Sequence, residues 1–187
     1  NSVKELVALA KARPGELNYG SAGVGSVPYM AVEYFKQLTD TNIVAIQYRG
    51  VGPILTDLVG GQISLSFAGV TAFLPHVKAK RLRALAVGTT ERIDLLPEVP
   101  TVAEAGIPKY EQTVWYGVLA PAGTPRDIVM KLHDEIVKAL QRPDMGGQFA
   151  AQGATPTINT PEEFGDFIKT ETARWAGVIK ASGAKPE

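Results

Sequence analysis

Within its first 74 residues the chain three times runs from an apolar stretch, through a glycine-bearing turn, into a stretch with helical apolar spacing. Leu17–Tyr19 leads through Gly20–Ser26 into Val27–Phe35. Ile43–Tyr48 leads through Arg49–Pro53 into Ile54–Val59, and Ile63–Phe67 through Ala68–Gly69 into Val70–Leu74. Alternating β and α segments imply an α/β fold on a parallel sheet. Ile43–Tyr48, largely apolar, reads as a strand buried on both faces. Ligands of such sheets sit outside the carboxyl ends of the strands. All three turns lie at such ends, so they converge on one candidate site.

The first turn is the richest. Gly20-Ser21-Ala22-Gly23-Val24-Gly25-Ser26 holds three glycines, which admit backbone conformations closed to other residues, and two hydroxyls. Unpaired N–H groups at the start of the next helix, with its dipole, favour an anion, either a carboxylate or a phosphate. The P-loop pattern would place Lys where Ser26 stands, and the dinucleotide pattern counted from Gly23 meets Pro28 in its last glycine position, so neither nucleotide motif applies. On spacing alone the turn also fits a ligand-free strand-to-helix connection.

Further helices follow from local signals. Ser2 and Glu5 form a capping box ahead of the Val3–Leu6–Val7–Ala10 stripe, ended by Arg13-Pro14-Gly15; Thr101 and Glu104 form another, closed by Gly106 and Pro108. Gly60-Gly61 closes the helix from Ile54. Leu82–Val87 and Val114–Ala120 read as strands, with a weaker candidate at Thr155–Ile158. Thr124 and Pro125 open an amphipathic helix with Ile128, Leu132, Ile136 and Leu140 on one face, and Thr160–Glu163 opens a long helix to about Ala181. An α/β lobe thus reaches to about Trp115, and the remainder is mainly helical, with little sheet to cover it.

The 187 residues carry 19 basic and 19 acidic side chains, so nothing advertises nucleic acid or an anionic membrane. Cysteine is absent, which removes disulfides, thiolate catalysis and cysteine metal sites. No apolar run approaches the ~20 residues of a membrane span. His76 and His133 lack the spacing of a helix-borne metal pair, neighbouring Glu162 and Glu163 point apart on a helix, and no G-x-S-x-G elbow activates Ser21 or Ser26. No metal, cofactor or catalytic set is therefore expected.

The chain resembles the substrate-binding proteins of tripartite tricarboxylate transporters, the Bug family of periplasmic binding proteins. The resemblance rests on Leu17–Ser26, on Tyr48-Arg49-Gly50-Val51-Gly52-Pro53 with Leu55–Gln62, on Leu82–Val87, on Leu96–Gly106 and on Trp115–Pro125. It implies a type II periplasmic-binding-protein-like fold: residues 1–115 as the second, ligand-binding lobe, and 116–187 as a crossing strand and the returning helices of an incomplete first lobe. A leader and a further ligand loop would lie ahead of Asn1. The family usually has Gly in the turn where this chain reads Lys78-Ala79-Lys80-Arg81.

It further implies a non-enzymatic, monomeric, periplasmic receptor that closes on a small carboxylate (a di- or tricarboxylate, acidic amino acid or aromatic acid) and hands it to the membrane components of a tripartite tricarboxylate transporter. Under it, the ligand-binding residues are Gly20, Ser21, Ala22, Gly23, Val24, Gly25 and Ser26, with Gly69, Val70 and Thr71 at the ligand's far end. Capping of the following helix is the alternative for Thr71. Arg49 is a further candidate against the role of a solvated loop arginine, and Trp115 against that of core near the hinge. Two other functions compete: an effector-sensing domain of a transcriptional regulator, which lacks a helix-turn-helix segment here, and an enzyme with an anion-binding loop, which lacks an acid, base, nucleophile or metal set.

Overall fold

The computed structural model describes residues 1–183 as seven helices and a short parallel sheet, divided into two compact units. One unit comprises Asn1–Val114 together with the end of the last helix from Ala176; the other comprises Trp115–Trp175.

In the first unit, α1 (Val3–Ala12) starts where the sequence places it, with the Ser2 hydroxyl accepting from the Glu5 N–H at 3.2 Å. β1 (Asn18–Ser21) and β2 (Val44–Gln47) pair in parallel, Tyr19 opposite Ala45 and Gly20 opposite Ile46, and α2 (Val27–Thr39) connects them. Ser26 caps α2 through its hydroxyl, and Pro28 occupies the first turn, where its missing N–H costs nothing. α3 (Val51–Val59) begins three residues earlier than its apolar spacing indicates because Pro53 is accommodated in its first turn. α4 (Val70–Lys78) follows Gly69. Beyond it Lys80 takes φ +56°, so the turn keeps a left-handed residue without the family's usual glycine.

Successive strand residues face opposite sides of a sheet, and β1 uses both. Tyr19 is fully buried and its hydroxyl donates to Glu33 of α2 at 2.9 Å. Gly20 turns to the other side, towards the buried Ile54 of α3. α2 and α3 therefore cover opposite faces of β1. The core continues through Phe35, Phe67 and Tyr110, whose ring centroids lie 5.6 to 6.2 Å apart in tilted and edge-to-face arrangements. Such pairs contribute about 0.5–1.5 kcal/mol each beyond their area burial.

Burial pushes the Tyr19 phenol far above its ordinary range, and the Glu33 carboxylate beside it adds to the shift. A phenol that resists ionisation in the folded state stabilises the protein fully below the unfolded value of about 10 and loses that contribution as pH rises through its folded value. Wild type is therefore expected to lose stability above pH ~10 relative to Tyr19→Phe, with a slope approaching about 1.4 kcal/mol per pH unit. Chemical denaturation of both proteins across that range reads this directly; parallel profiles would refute it.

Several strand expectations are corrected. β2 is not buried on both faces: Val44 and Ile46 remain 41% and 37% exposed. It pairs with β1 alone among the described residues. Ile63–Phe67 touches β1 at one parallel bridge, Tyr19 to Leu65, and Leu82–Val87 forms only a bridge from Val87 to Thr101. Thr101 and Glu104 exchange the capping-box hydrogen bonds, yet the segment makes turns rather than a helix before Gly106, which takes φ +112°.

Val114–Ala120, where the second unit begins, and Thr155–Ile158 within it form no strand. Neither segment pairs with a strand among the described residues, so Tyr116 stands 93% exposed. α5 (Arg126–Leu140) begins one residue later than expected, since the Thr124 hydroxyl donates to the Pro121 carbonyl instead of capping. Its Ile128, Leu132 and Ile136 are exposed rather than covered. α6 (Pro143–Ala151) was not legible, because Gly146 and Gly147 interrupt any apolar period. α7 (Pro161–Ser182) opens with the expected box, Thr160 and Glu163 exchanging hydrogen bonds of 2.8 and 3.2 Å.

Candidate functional site

The carboxyl end of β1 continues into the glycine turn. Ser21 is fully buried and its hydroxyl donates to the Gly23 carbonyl at 3.2 Å. The Ser21 carbonyl in turn accepts from the Tyr48 N–H at 2.8 Å, which ties the first loop to the second. Gly23 and Gly25 adopt φ +108° and +81°, a region L side chains rarely enter, and a Cβ at either would meet nothing within 4 Å. At both glycines the turn thus presents main chain to open space, with the exposed Val24 side chain between them.

Where its N–H groups go decides what it can bind. Ser26 N–H donates to the Gly23 carbonyl at 3.1 Å and is not available to a guest. Those of Ala22, Gly23, Val24 and Gly25 have no acceptor among the described residues. The Ser26 hydroxyl accepts the 3.4 Å cap bond from Tyr29 and keeps its own proton to donate. Gly20, buried in β1, is closely packed: a Cβ there would fall 2.5 Å from Ile54 Cγ2 and 2.9 Å from Ile63 Cδ1.

α3 and α4 follow their strand segments in the same strand-to-helix sense. Gly50, at φ +111°, and Gly69 precede them, and neither helix has a side-chain cap. Three helix N-termini therefore follow three parallel segments, each adding partial positive charge at the carboxyl edge. Arg49 is exposed and has no ion-pair partner among the described residues. The Tyr48 phenol beside it donates to Asp57 at 2.7 Å, which raises its pKa. Thr71 does not cap α4, because Gly69 occupies the N-cap; its exposed hydroxyl has no hydrogen bond among the described residues. Ser66, which motif reading passed over, carries a buried hydroxyl without a partner among the described residues, three positions before Gly69. Only its tertiary surroundings mark it.

Trp115 belongs to the other unit, where its ring meets Phe164 and Phe167 edge-on at 5.8 and 5.2 Å. His133 bridges Asp134 and the Asn159 carbonyl, both at 3.1 Å. Among the described residues no three metal-ligating side chains cluster.

Comparison with known proteins places the chain in a family. The family model described as "Tripartite tricarboxylate transporter family receptor" matches residues 1–184. Protein BugT of Bordetella pertussis is 40% identical over 185 residues, 99% of this chain and 57% of its own. An R. palustris protein solved with adipate superposes with a TM-score of 0.87 at 36% identity, covering all of this chain and 62% of that one. A Rhodopseudomonas palustris protein solved with bound malate gives 0.80 at 28%, covering 96% and 62%. The chain spans a little over half the length of these curated relatives. Their fold is that of periplasmic binding proteins, and this chain belongs to the tripartite tricarboxylate transporter receptor family.

Proposed function

We propose that the chain forms part of a periplasmic solute receptor that captures a small carboxylate and delivers it to the membrane components of a tripartite tricarboxylate transporter. The observation that carries this reading is the group of four N–H groups at Ala22–Gly25 without an acceptor among the described residues, in a turn held by two left-handed glycines with open space around them. A carboxylate accepts several such donors, and the N-terminus of α2 adds a favourable field. Adipate and malate in the related structures are guests of that chemistry. The far-end contacts assigned to Gly69, Val70 and Thr71 fit the second uncapped N-terminus, and Arg49 could meet a second carboxylate. The packing of Trp115 on Phe164 and Phe167 favours its reading as core near the hinge over that of a ligand contact. The receptor acts as a monomer without catalysis; its role is to bury the anion by replacing water with fixed donors, and a closed form then differs in the surface it shows.

Four hydrogen bonds to a charged guest contribute about 6–12 kcal/mol. Association costs about 4–15 kcal/mol, so this one loop holds a guest weakly at best. Calorimetry with adipate and malate should therefore give little or no heat with the 187-residue chain and micromolar or tighter binding with the full-length gene product. Micromolar affinity in the chain alone would refute the division of the site between lobes, and no binding of any dicarboxylate, amino acid or aromatic acid by the full-length protein would refute the reading itself.

A further inference from the structure

We propose that the groove between α1, the last turn of α2 and the Ala105–Lys109 turn docks an acidic, apolar-faced peptide segment of a protein partner. The groove encloses about 410 Å³ and lies within the first unit. Its floor is apolar, with Val7, Leu38 and Ile107 half-buried, and its rim carries the exposed Lys4, Lys11 and Lys109. None of these ammonium groups has an ion-pair or hydrogen-bond partner among the described residues. Among the carboxylates next in sequence to the lining, Glu104 is engaged by Arg92 at 2.9 Å, and Asp40, exposed beyond Thr39, is one acid against three lysines. The Lys4 stem lies over Gly106, where a Cβ would come within 3.2 Å of its Cε.

Spacing selects a peptide over a small acid. Lys4 and Lys11 are seven residues apart on α1, roughly 10 Å along one face at 1.5 Å per residue. One carboxylate cannot span that distance. Acidic residues three apart in a polyproline II segment, which has three residues per turn, share one side about 9 Å apart at about 3.1 Å per residue, while the side chains between them meet the apolar floor. An apolar centre with a charged rim is the ordinary anatomy of a small interface, and rim charges steer the encounter.

The groove holds the last turn of α2 (Leu38, Thr39), whereas the first turn carries the glycine loop, roughly 18 Å away along the helix. A partner seated there leaves the loop open, so docking and solute capture can coexist on one lobe. If the chain serves a transporter, the partner is its membrane component. That identification rests on the reading above; peptide binding does not.

The probe is a fluorescein-labelled peptide with glutamate at every third position and leucine between, titrated into the chain and followed by anisotropy. Expected is saturable binding that weakens between about 20 and 200 mM salt and falls at least about tenfold in a Lys4→Gln/Lys11→Gln/Lys109→Gln variant. Replacing the leucines by serine should weaken it as much. The substitutions are exposed, so circular dichroism should stay unchanged. Absence of saturable binding, equal binding by the triple variant, or amide NMR shifts at Gly20–Ser26 instead of α1 would overturn the proposal. Failure of dicarboxylate binding would leave it untouched.

Discussion

Gly20→Val is expected to unfold the chain or cost about 3 kcal/mol or more, although the change adds only a small apolar side chain to the centre of an apolar core. The first carbon alone would stand 2.5 Å from Ile54 Cγ2 and 3.0 Å from its Cγ1, with Ile63 Cδ1 at 2.9 Å. Both isoleucines are buried, Ile54 completely, so neither can swing into solvent. Against a total stability of about 5–15 kcal/mol the loss is severe. A double-mutant cycle makes the cause measurable. Gly20→Ala should cost about 1–3 kcal/mol and Ile54→Ala about 2–5, but the double variant should cost less than their sum, because the new methyl enters the space that Ile54 vacates. Urea denaturation of the four proteins checks this. Strict additivity would show that Gly20 is held by something other than the close approach of α3.

The second large effect concerns the loop and separates binding from folding. Gly23→Val in the full-length protein should lower affinity for a dicarboxylate by at least about tenfold, and by more than a hundredfold if two N–H contacts are lost at about 1.5–3 kcal/mol each. A Cβ at this position meets no atom within 4 Å, so the core should not be disturbed. What it disturbs is the φ of +108°, which valine avoids; the peptide rotates and the N–H groups of Gly23 and Val24 no longer converge. The strain itself costs about 1–3 kcal/mol of stability, which the fold should survive. Gly177→Ala is the control: it lies in α7, also with open space around it, and its affinity should match wild type. Calorimetry on the three proteins, with melting curves to confirm folding, settles the assignment. Unchanged affinity in Gly23→Val would remove Ala22–Gly25 as the cradle.

How far the sequence could be read depended on the range of the interactions that form each feature. Helix starts were legible where a side-chain cap forms within four residues and a helix follows, as at Ser2 and Thr160, and not at α3, α5 or α6, which have no side-chain cap. The hydroxyl of Ser2 reaches the Glu5 N–H, that of Ser26 reaches Tyr29, and Thr160 and Glu163 bond each other, whatever the rest of the chain does. Strands were less legible. Val114–Ala120 has strong β propensity, yet propensity records how well a side chain suits a pleated surface, and a strand exists only when a distant segment supplies the other half of its hydrogen bonds. The same holds for Leu82–Val87, which meets one partner residue at Thr101.

Order along the chain by itself determined that a glycine turn follows β1 and opens α2, that it lacks a phosphate-gripping lysine, and which family motifs the chain carries, since these depend on residue type and short spacing. Only the tertiary structure decided which of that turn's amides are already used. It also decided that Gly20 is empty of side chain because α3 presses against it, and that Lys109 comes to lie beside the Lys4–Lys11 face. Each of these is a contact between segments far apart in sequence, and such contacts exist only once the sheet and its covering helices have brought those segments together.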